Sequence, residues 1–429
     1  MAPLAQLAVD LGYEVFGSDA SESLSTDILR HKGIRVHIGT DVDFIESVNS
    51  QSPLDWFVHS AAIKEDHPER LFVNKNNIQS SKRDKFINFI LQQNNLKLIA
   101  VAGTHGKTTT TAMLVWMMQQ LNLPVSYIIG SNIGFGPAGK HVNGSQYLIL
   151  ETDEYDRNFL SFKPNAAIIT SLDYDHQDTY PTIQDYQQAF AQFISSCETL
   201  CCAWQDQVKD LHLNQAEFDT KGLKLYFPNK NDAINQEYLS RIQLTGEHNR
   251  QNGFLAISLL SFVLKLDSAS LNQVLTTFPG TQRRFELIAP NVFSDYAHHP
   301  TEIKATLEMA TEYKLRHSLN KVIAIYQPHQ NIRQHDSIVQ SGYRTAFEQA
   351  DEIYWLPTYL SREDSNLKVL SPTDLINIID KSHDSKFKVA DLDQNLISKL
   401  TELQKQNCLI LFMGAGSIDT WARKNLVSL

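Results

Sequence analysis

Several features are scarce or missing in this chain of 429 residues, and each absence excludes a class of protein. No apolar run approaches the roughly 18 residues of a membrane span, and the N-terminus lacks the layout of a secretory signal. A net charge of −10 argues against the basic stripe that nucleic-acid binding needs. We therefore expect a cytoplasmic protein that neither crosses a membrane nor binds nucleic acid.

Cysteine is also scarce, and no CxxC pair or matching histidine spacing is present. This pattern argues against a zinc site or a disulfide framework and favours small buried thiols in a reducing compartment. The four cysteines are Cys197, Cys201, Cys202 and Cys408.

What remains is an ordinary globular composition, with 42% hydrophobic and 20% charged residues. At about 150 residues per domain, two to three domains are expected. The polar run at residues 92–95 has linker composition, and a glycine-led loop at 280–286 marks a second boundary. We predict domains at residues 1–95, 96–285 and 286–429.

One stretch organises the central domain. The apolar run 98–102 predicts a buried parallel strand, the glycine turn 103–106 follows, and a helical pattern begins near Lys107. Such a turn directs backbone N–H groups at an anion, Lys107 can reach the β- and γ-phosphates, and the Thr108 hydroxyl can bind Mg²⁺. Val101 stands where the first glycine of the full Walker spacing would be, so a chance glycine turn is the alternative.

Acidic residues follow the next buried strand of the central domain. Residues 146–150 run directly into Glu151-Thr-Asp-Glu-Tyr-Asp156, whose four carboxylates need a cation to offset their repulsion. The apolar run 166–170 is followed in the same way by His176. Because ligands bind at the carboxyl ends of parallel strands, Glu151 and His176 are predicted to converge on one Mg²⁺ beside the triphosphate, where Thr108 could also bind it. A solvated acidic turn is the alternative, and imidazole is a less usual Mg²⁺ ligand than oxygen.

The first domain begins with a helical pattern at residues 1–12, followed by a strand that ends in Asp19. This is the second half of a Rossmann unit, in which the acid would meet a ribose hydroxyl. The strand and glycine fingerprint that should precede the helix are missing, so we expect a truncated start. An ordinary αβ pair without a ligand is the alternative.

In the third domain, polar clusters follow each predicted strand, which places a site at one sheet edge that faces the central domain. The paired Arg283 and Arg284 suit an anionic ligand, with a solvated salt bridge as the alternative. In the central domain, Asn249 and Asn252, at the start of a predicted helix, could equally bind a base or ribose or cap the helix. The strands are residues 292–294, 322–326, 352–356 and 409–413, and residues 206–240 predict no element.

Eight motifs in one order resemble the Mur ligases. The resemblance covers nearly the whole chain and implies an α/β fold of three domains: an N-terminal Rossmann-like domain (here without its first strand), a central P-loop ATPase domain and a C-terminal Rossmann-like domain. The motifs begin at Gly103, Glu151, Asp173, Gly246, Arg283, Asp295, Gln327 and Met413.

Within that family, the order and the residues of these motifs are most similar to those of the members that join L-alanine to the lactyl carboxylate of UDP-N-acetylmuramate. The resemblance implies ATP and Mg²⁺ as cofactors, an acyl-phosphate intermediate, and release of ADP and phosphate. It also implies one Mg²⁺ held by Thr108 and Glu151 and a second Mg²⁺ near His176. The implied catalytic residues are Lys107, Glu151, His176, Arg284 and His298. The implied ATP-binding residues are Gly103, Thr104, His105, Gly106, Lys107, Thr108, Thr109, Asn249, Asn252, Arg284 and Asp295. The implied UDP-sugar-binding residues are Asp19, Ser60 and His105.

Two rival functions stay open at this point. A recycling ligase joins a whole tripeptide to the same UDP-sugar. Tyr155 and the motif Asp295-Tyr-Ala-His-His299 favour it, whereas residues 177–180 and the compact length favour L-alanine. The second rival is a non-catalytic nucleotide-binding protein that lost its sugar site. Ser171, Ala297 and Gln330 depart from the commoner family residues.

Overall fold

The computed structural model describes residues 1–176, 179–213, 218–219, 222–331, 334–335, 342–361, 363, 366–379 and 386–426. Two compact units are present: residues 1–242 with 251–278, and residues 243–250 with 279–429. Both units have an α/β fold, in which helices pack against β-sheets.

The first 93 residues carry two separate parallel sheets of two strands each. The predicted helix and strand at the N-terminus are confirmed, whereas the helices at 43–51 and 68–75 and the strand at 79–82 were missed because their sequences are largely polar. The elements are α1 (Ala2–Asp10), β1 (Phe16–Asp19), α2 (Leu24–His31), β2 (Arg35–Ile38), α3 (Asp43–Gln51), β3 (Trp56–His59), α4 (Pro68–Lys75), β4 (Gln79–Lys82) and α5 (Arg83–Gln93).

β1 pairs with β2 and β3 pairs with β4, and the described strands place no strand between the two pairs. A sheet of the expected Rossmann type would join them through a central strand. The structure thus describes two separate two-stranded sheets in this region.

The rest of the first unit is built on a sheet with the strand order β11-β10-β9-β5-β8-β6-β7, parallel except for the β6–β7 pair. Its elements are β5 (Lys97–Ala102), α6 (Lys107–Gln120), β6 (Ser126–Ile128), β7 (Gly139–Lys140), β8 (Tyr147–Glu151), a 3₁₀ helix (Tyr155–Ser161), β9 (Ala166–Ile169), α7 (Ile183–Ser196), β10 (Leu200–Ala203), α8 (Gln205–Val208), β11 (Lys224–Tyr226), α9 (Ala233–Arg241), α10 (Glu247–Leu264) and α11 (Ser268–Leu275).

The central position of β5 explains its composition. β5 lies between β8 and β9, and the residues from Leu98 to Ala102 are all buried, as expected for a parallel strand covered on both faces. After the glycine turn, α6 is also largely buried, although its first residues are polar. Its Thr110 and Thr111 hydroxyls donate to the carbonyls of Gly106 and Lys107 at 2.8 Å, so burial leaves no unpaired hydroxyl there.

The second unit contains a sheet with the strand order β12-β13-β17-β14-β15-β16, antiparallel only between β12 and β13. The four strands predicted from the sequence are confirmed as its buried centre, and the edge strands β12 and β16 were missed. The elements are β12 (Glu286–Ala289), β13 (Val292–Asp295), α12 (Pro300–Arg316), β14 (Val322–Tyr326), α13 (Tyr343–Ala346), β15 (Glu352–Trp355), α14 (Pro372–Ile379), β16 (Phe387–Val389), α15 (Gln394–Lys405), β17 (Leu409–Met413) and α16 (Ile418–Leu426).

Two expectations from composition can be compared with the structure. Among the described residues, no helix is long and apolar enough to cross a membrane. All four cysteines are free and buried, three of them in or next to β10. The predicted reading as small apolar residues is confirmed.

Candidate functional site

The turn between β5 and α6 can be made only with glycine at two positions. Gly103 has a φ of +128°, and a Cβ there would lie 2.3 Å from the Thr170 hydroxyl oxygen. Gly106 has a φ of +82° and caps α6 in the left-handed conformation. The first N–H groups of a helix have no intrahelical acceptor, so this tight turn presents donors and the positive end of the helix dipole to an anion.

Lys107, the first residue of α6, has its ammonium inside this turn. Its Nζ donates to the Gly103 carbonyl at 2.5 Å and to the Thr104 carbonyl at 3.2 Å. It also donates to the Glu154 carboxylate at 2.8 and 3.0 Å. Burial lowers the pKa of Lys107, but the carboxylates of Glu154, Glu151 and Asp153 outweigh burial and raise it above its ordinary value.

The two oxygen ligands predicted for Mg²⁺ are adjacent. The Thr108 hydroxyl donates to Glu151 Oε1 at 2.8 Å, and the Gly130 N–H donates to Glu151 Oε2 at 2.6 Å. A Cβ on Gly130 would lie 2.7 Å from Glu151 Oε1, so glycine leaves this carboxylate room. A hydroxyl and a carboxylate fit Mg²⁺, which takes one or two protein oxygens and completes its shell with phosphate and water.

Thr108 and Glu151 would leave the other positions around the ion to phosphate and water. Among the described residues, no group of three or more histidine, cysteine, aspartate or glutamate side chains is arranged to hold a metal. His176, the third predicted ligand, lies with its Nε2 3.5 Å from Glu154 Oε1 and 3.9 Å from Asp175 Oδ2. Its role as a metal ligand stays a prediction.

Glu154 is the residue that sequence reasoning missed. It is the third carboxylate of the acidic run, it is 2% exposed, and it contacts both Lys107 and His176. Burial raises the pKa of Glu154, but the Lys107 charge and the hydrogen bonds from His176 and Lys107 outweigh it and lower that pKa. The only signal in the sequence was the crowding of acids after β8.

Strained backbone surrounds the same contacts. His176 has a φ of +58°, and Asp156 and Arg157 have φ values of +53° and +55°. Residues other than glycine rarely adopt this conformation, and such strain clusters at functional sites. His105, predicted to bind ATP and the UDP-sugar, has its Nε2 3.1 Å from Asp173 Oδ2 at the end of the neighbouring strand β9.

In the second unit, Asp295 is buried at the end of β13. Its carboxylate accepts the N–H groups of Phe285 and Ala297, both at 2.7 Å. Burial raises the pKa of Asp295 to about 6, although the nearby Arg284 charge opposes the rise. Arg283 and Arg284 both lie over the Tyr296 ring, at 4.7 and 5.1 Å from its centre, so the arginine pair is held at the same strand end.

His298 lies next to this cluster. Its Nδ1 is 3.2 Å from both the Tyr296 carbonyl and the Glu302 carboxylate, and its ring is 5.9 Å from that of His329. His299 is the N-cap of α12, which begins at Pro300, and its side chain accepts the Thr301 N–H. His298, in contrast, is presented beside the polar ends of β13 and β14.

The two asparagines lie near the start of α10. Asn249 Nδ2 donates to the Thr245 carbonyl at 2.9 Å and lies 3.3 Å from Met309 Sδ. Asn252 belongs to the first unit, where its Nδ2 lies 2.6 Å from the position of a Cβ on Gly106. The structure therefore brings Asn252 to the glycine turn, and adenine binding by the two residues stays a prediction.

His248, directly before Asn249 near the start of α10, allows a test of pH-dependent stability. Burial, aided by the charges of Arg250 and Arg284, lowers the pKa of His248 to about 4, against the attraction of Glu312. Because the unfolded chain takes up the proton near pH 6.5 and the folded chain does not, stability falls as the pH drops from 6.5 toward 4. Removing the imidazole in His248→Gln should flatten that fall by about 2 kcal/mol between pH 7 and pH 4.5, measured by urea unfolding at both pH values.

The matched control is His317→Gln, because His317 is exposed at the end of α12. It should leave the pH dependence unchanged. An equal fall in stability for the wild type and His248→Gln would contradict a neutral buried imidazole.

The remaining predicted UDP-sugar residues lie at strand ends of the first 93 residues. The Asp19 side chain accepts the Ser21 N–H at 3.3 Å, and the Ser60 carbonyl accepts the Ile63 N–H at 3.2 Å. Neither contact indicates a ligand, so the sugar assignments stay predictions. Gln177 and Asp178, which favoured L-alanine, lie outside the described residues.

Comparison with known families accounts for all three parts of the chain. Residues 1–94 match the model of the Mur ligase family, catalytic domain; residues 101–260 match the Mur ligase middle domain; and residues 283–416 match the Mur ligase, glutamate ligase domain. A curated UDP-N-acetylmuramate–L-alanine ligase from Clostridium tetani is 30% identical over 444 residues, covering 97% of this chain and 93% of that protein. The chain belongs to the Mur ligase family.

Other Mur ligases agree with this result. The UDP-N-acetylmuramate–L-alanine ligase of Alkaliphilus metalliredigens is 30% identical over 447 residues, covering 97% of this chain and 93% of that protein. The crystal structure of a UDP-N-acetylmuramate-alanine ligase from Thermotoga maritima has a TM-score of 0.75 at 24% identity, covering 99% of this chain and 95% of that one. A murein peptide ligase from Psychrobacter arcticus has a TM-score of 0.63 at 22% identity, covering 100% and 96%. The three-domain α/β fold inferred from the motifs is confirmed, and the boundaries at 95 and 285 stay predictions.

Proposed function

We propose that this chain is an ATP-dependent ligase that joins L-alanine to the lactyl carboxylate of UDP-N-acetylmuramate through an acyl phosphate. The observation that carries the proposal is the Lys107 ammonium in the glycine turn, next to the Thr108–Glu151 oxygen pair. The curated relatives named above support this acceptor and this sugar.

The residues of the first unit suit activation of a carboxylate by phosphoryl transfer. Lys107 and the N-terminus of α6 supply positive charge where phosphate oxygens would lie. Thr108 and Glu151 are the groups that would hold Mg²⁺, which neutralises phosphate charge when bound. Catalysis by this set is positioning and electrostatics, with no covalent bond to the protein.

The second unit supplies groups that suit the γ-phosphate and the amine. Arg284 is the proposed phosphate contact, and Asp295 and His298 are the proposed neighbours of ATP and the incoming amine. Asp295, whose pKa is raised to about 6 by burial, is ionised at neutral pH. The proposed UDP-sugar contacts are Asp19, Ser60 and His105. We also propose a cytoplasmic location, which the free cysteine thiols support.

The decisive assay offers the purified chain ATP, Mg²⁺ and UDP-N-acetylmuramate, with either L-alanine or an L-alanyl-γ-D-glutamyl-diaminopimelate tripeptide. We expect phosphate release that depends on the UDP-sugar and is faster with L-alanine. Faster turnover with the tripeptide would instead indicate the recycling ligase. ATP binding without sugar-dependent phosphate release would indicate a non-catalytic nucleotide-binding protein.

An isotope experiment tests the intermediate. When the lactyl carboxylate carries ¹⁸O, attack on the γ-phosphate moves one labelled oxygen into inorganic phosphate as the amide forms. Mass spectrometry should therefore find one label in each phosphate released. Unlabelled phosphate would contradict an acyl phosphate.

A further inference from the structure

The Glu154 carboxylate is a buried anion shared by two cationic or hydrogen-bonding side chains from different strand ends. One oxygen, Oε1, lies 3.0 Å from Lys107 Nζ and 3.5 Å from His176 Nε2, and Oε2 lies 2.8 Å from Lys107 Nζ. Lys107 follows β5 and His176 follows β9. One carboxylate therefore links the lysine of the glycine turn to the histidine of the neighbouring loop.

Lys107 has no donor left over in this arrangement. An ammonium has three protons, and its contacts are the Gly103 carbonyl, the Thr104 carbonyl and the Glu154 carboxylate. Contact with a phosphate oxygen requires release of one of them. The carbonyls belong to the rigid turn, so the carboxylate is the partner that a phosphate, also an anion, would replace.

Glu154 itself is held firmly by its backbone. Its carbonyl accepts the Tyr180 hydroxyl at 2.6 Å and the Arg157 N–H at 3.1 Å. Tyr180 is fully buried and packs edge-on against Tyr186, with ring centres 5.0 Å apart. The carboxylate thus projects from a fixed base, as a group that orients others must.

We propose that Glu154 is the positioning residue of this site. It holds the Lys107 and His176 side chains in position, and its contact with Lys107 is replaced by a phosphate contact when nucleotide binds. The proposal rests on the proposed function for its effect on turnover. Glu154 contacts no reacting atom; it acts through the two side chains that it holds.

The test compares Glu154→Gln with the wild type in two measurements. Calorimetry gives the affinity for Mg²⁺–ADP without sugar or amino acid, and the phosphate assay gives kcat. Because the amide removes the competing charge, we expect ADP to bind at least about threefold more tightly. Because Lys107 and His176 lose their common anchor, we expect kcat to fall at least about tenfold.

Two further variants separate positioning from a structural role. Glu154→Asp keeps the charge but withdraws it by one methylene, so its kcat should lie between those of the wild type and Glu154→Gln. Asp156→Asn removes an exposed carboxylate of the same run, which pairs with Lys82, and should leave both measurements within about twofold of wild type.

Either of two results for Glu154→Gln would overturn the proposal. If Glu154→Gln binds ADP no more tightly than the wild type, or keeps the wild-type kcat, Glu154 does not restrain Lys107. Should Glu154→Gln fail to fold, a wild-type kcat in Glu154→Asp would overturn it equally. ADP binding does not depend on the ligase reaction, so loss of the sugar-dependent activity in the wild type would reject the proposed function without affecting this measurement.

Discussion

Lys107→Met should lower kcat for sugar-dependent phosphate release by at least about 10³-fold, the largest effect that we expect from a single substitution. Methionine keeps much of the length of the side chain but removes the ammonium that would offset phosphate charge. The measurement is phosphate release at saturating ATP and UDP-sugar. Turnover within tenfold of the wild type would contradict the assigned phosphate site.

The control for this variant comes from the ion pair. Lys107→Met leaves the buried Glu154 carboxylate without its ammonium, which should cost about 3–5 kcal/mol in the free energy of unfolding. Lys107→Met combined with Glu154→Gln removes both charges, so urea unfolding should show most of that stability restored. Activity should stay lost in the double variant, which separates the chemical loss from the structural one.

Glu151→Gln should raise the Mg²⁺ concentration needed for half-maximal activity and lower kcat by at least about 10²-fold. The Thr108 hydroxyl and the Gly130 N–H each donate to a different oxygen of the Glu151 carboxylate. Glutamine has no negative charge and only one oxygen, so it is a poorer ligand for Mg²⁺. The measurement is a titration of phosphate release with Mg²⁺ at fixed ATP. An unchanged Mg²⁺ dependence would show that Glu151 is not a ligand.

The matched control is Asp156→Asn in the same acidic run. Asp156 is exposed and forms an ion pair with Lys82 at 2.5 Å, and such surface pairs contribute little to stability. Its Mg²⁺ dependence should equal that of the wild type. An effect as large as that of Glu151→Gln would indicate that the whole acidic run, rather than one carboxylate, attracts the ion.

The elements predicted most accurately are those whose signal is local and strong. β5, β8, β9, β14 and β17 are short apolar runs bounded by glycine or polar residues, and the structure confirms each of them. Elements with polar sequences were missed, as in α3, α4 and β4. They contain few apolar residues, and those few, such as Ile45, Val48 and Val73, are buried in the fold.

Some residues of the candidate site could likewise be predicted from the sequence, and others could not. The glycine turn, Lys107, Thr108 and Glu151 could be predicted because residues adjacent in the chain, together with the strand-end rule, bring them to one edge. The position of His176 at Glu154 could not be predicted. Which of four clustered carboxylates is buried depends on the path of the chain after β8, including the left-handed residues Asp156 and Arg157.

By itself, the sequence determined the fold class, the phosphate-binding turn and membership of the Mur ligase family, because all three are written in residue order and spacing. Only the tertiary structure decided that Glu154 is the partner of Lys107 and that Asp295 is buried. Ion pairing and burial depend on groups far apart in the chain, here residues 107, 154 and 176, which the sheet brings within hydrogen-bonding distance.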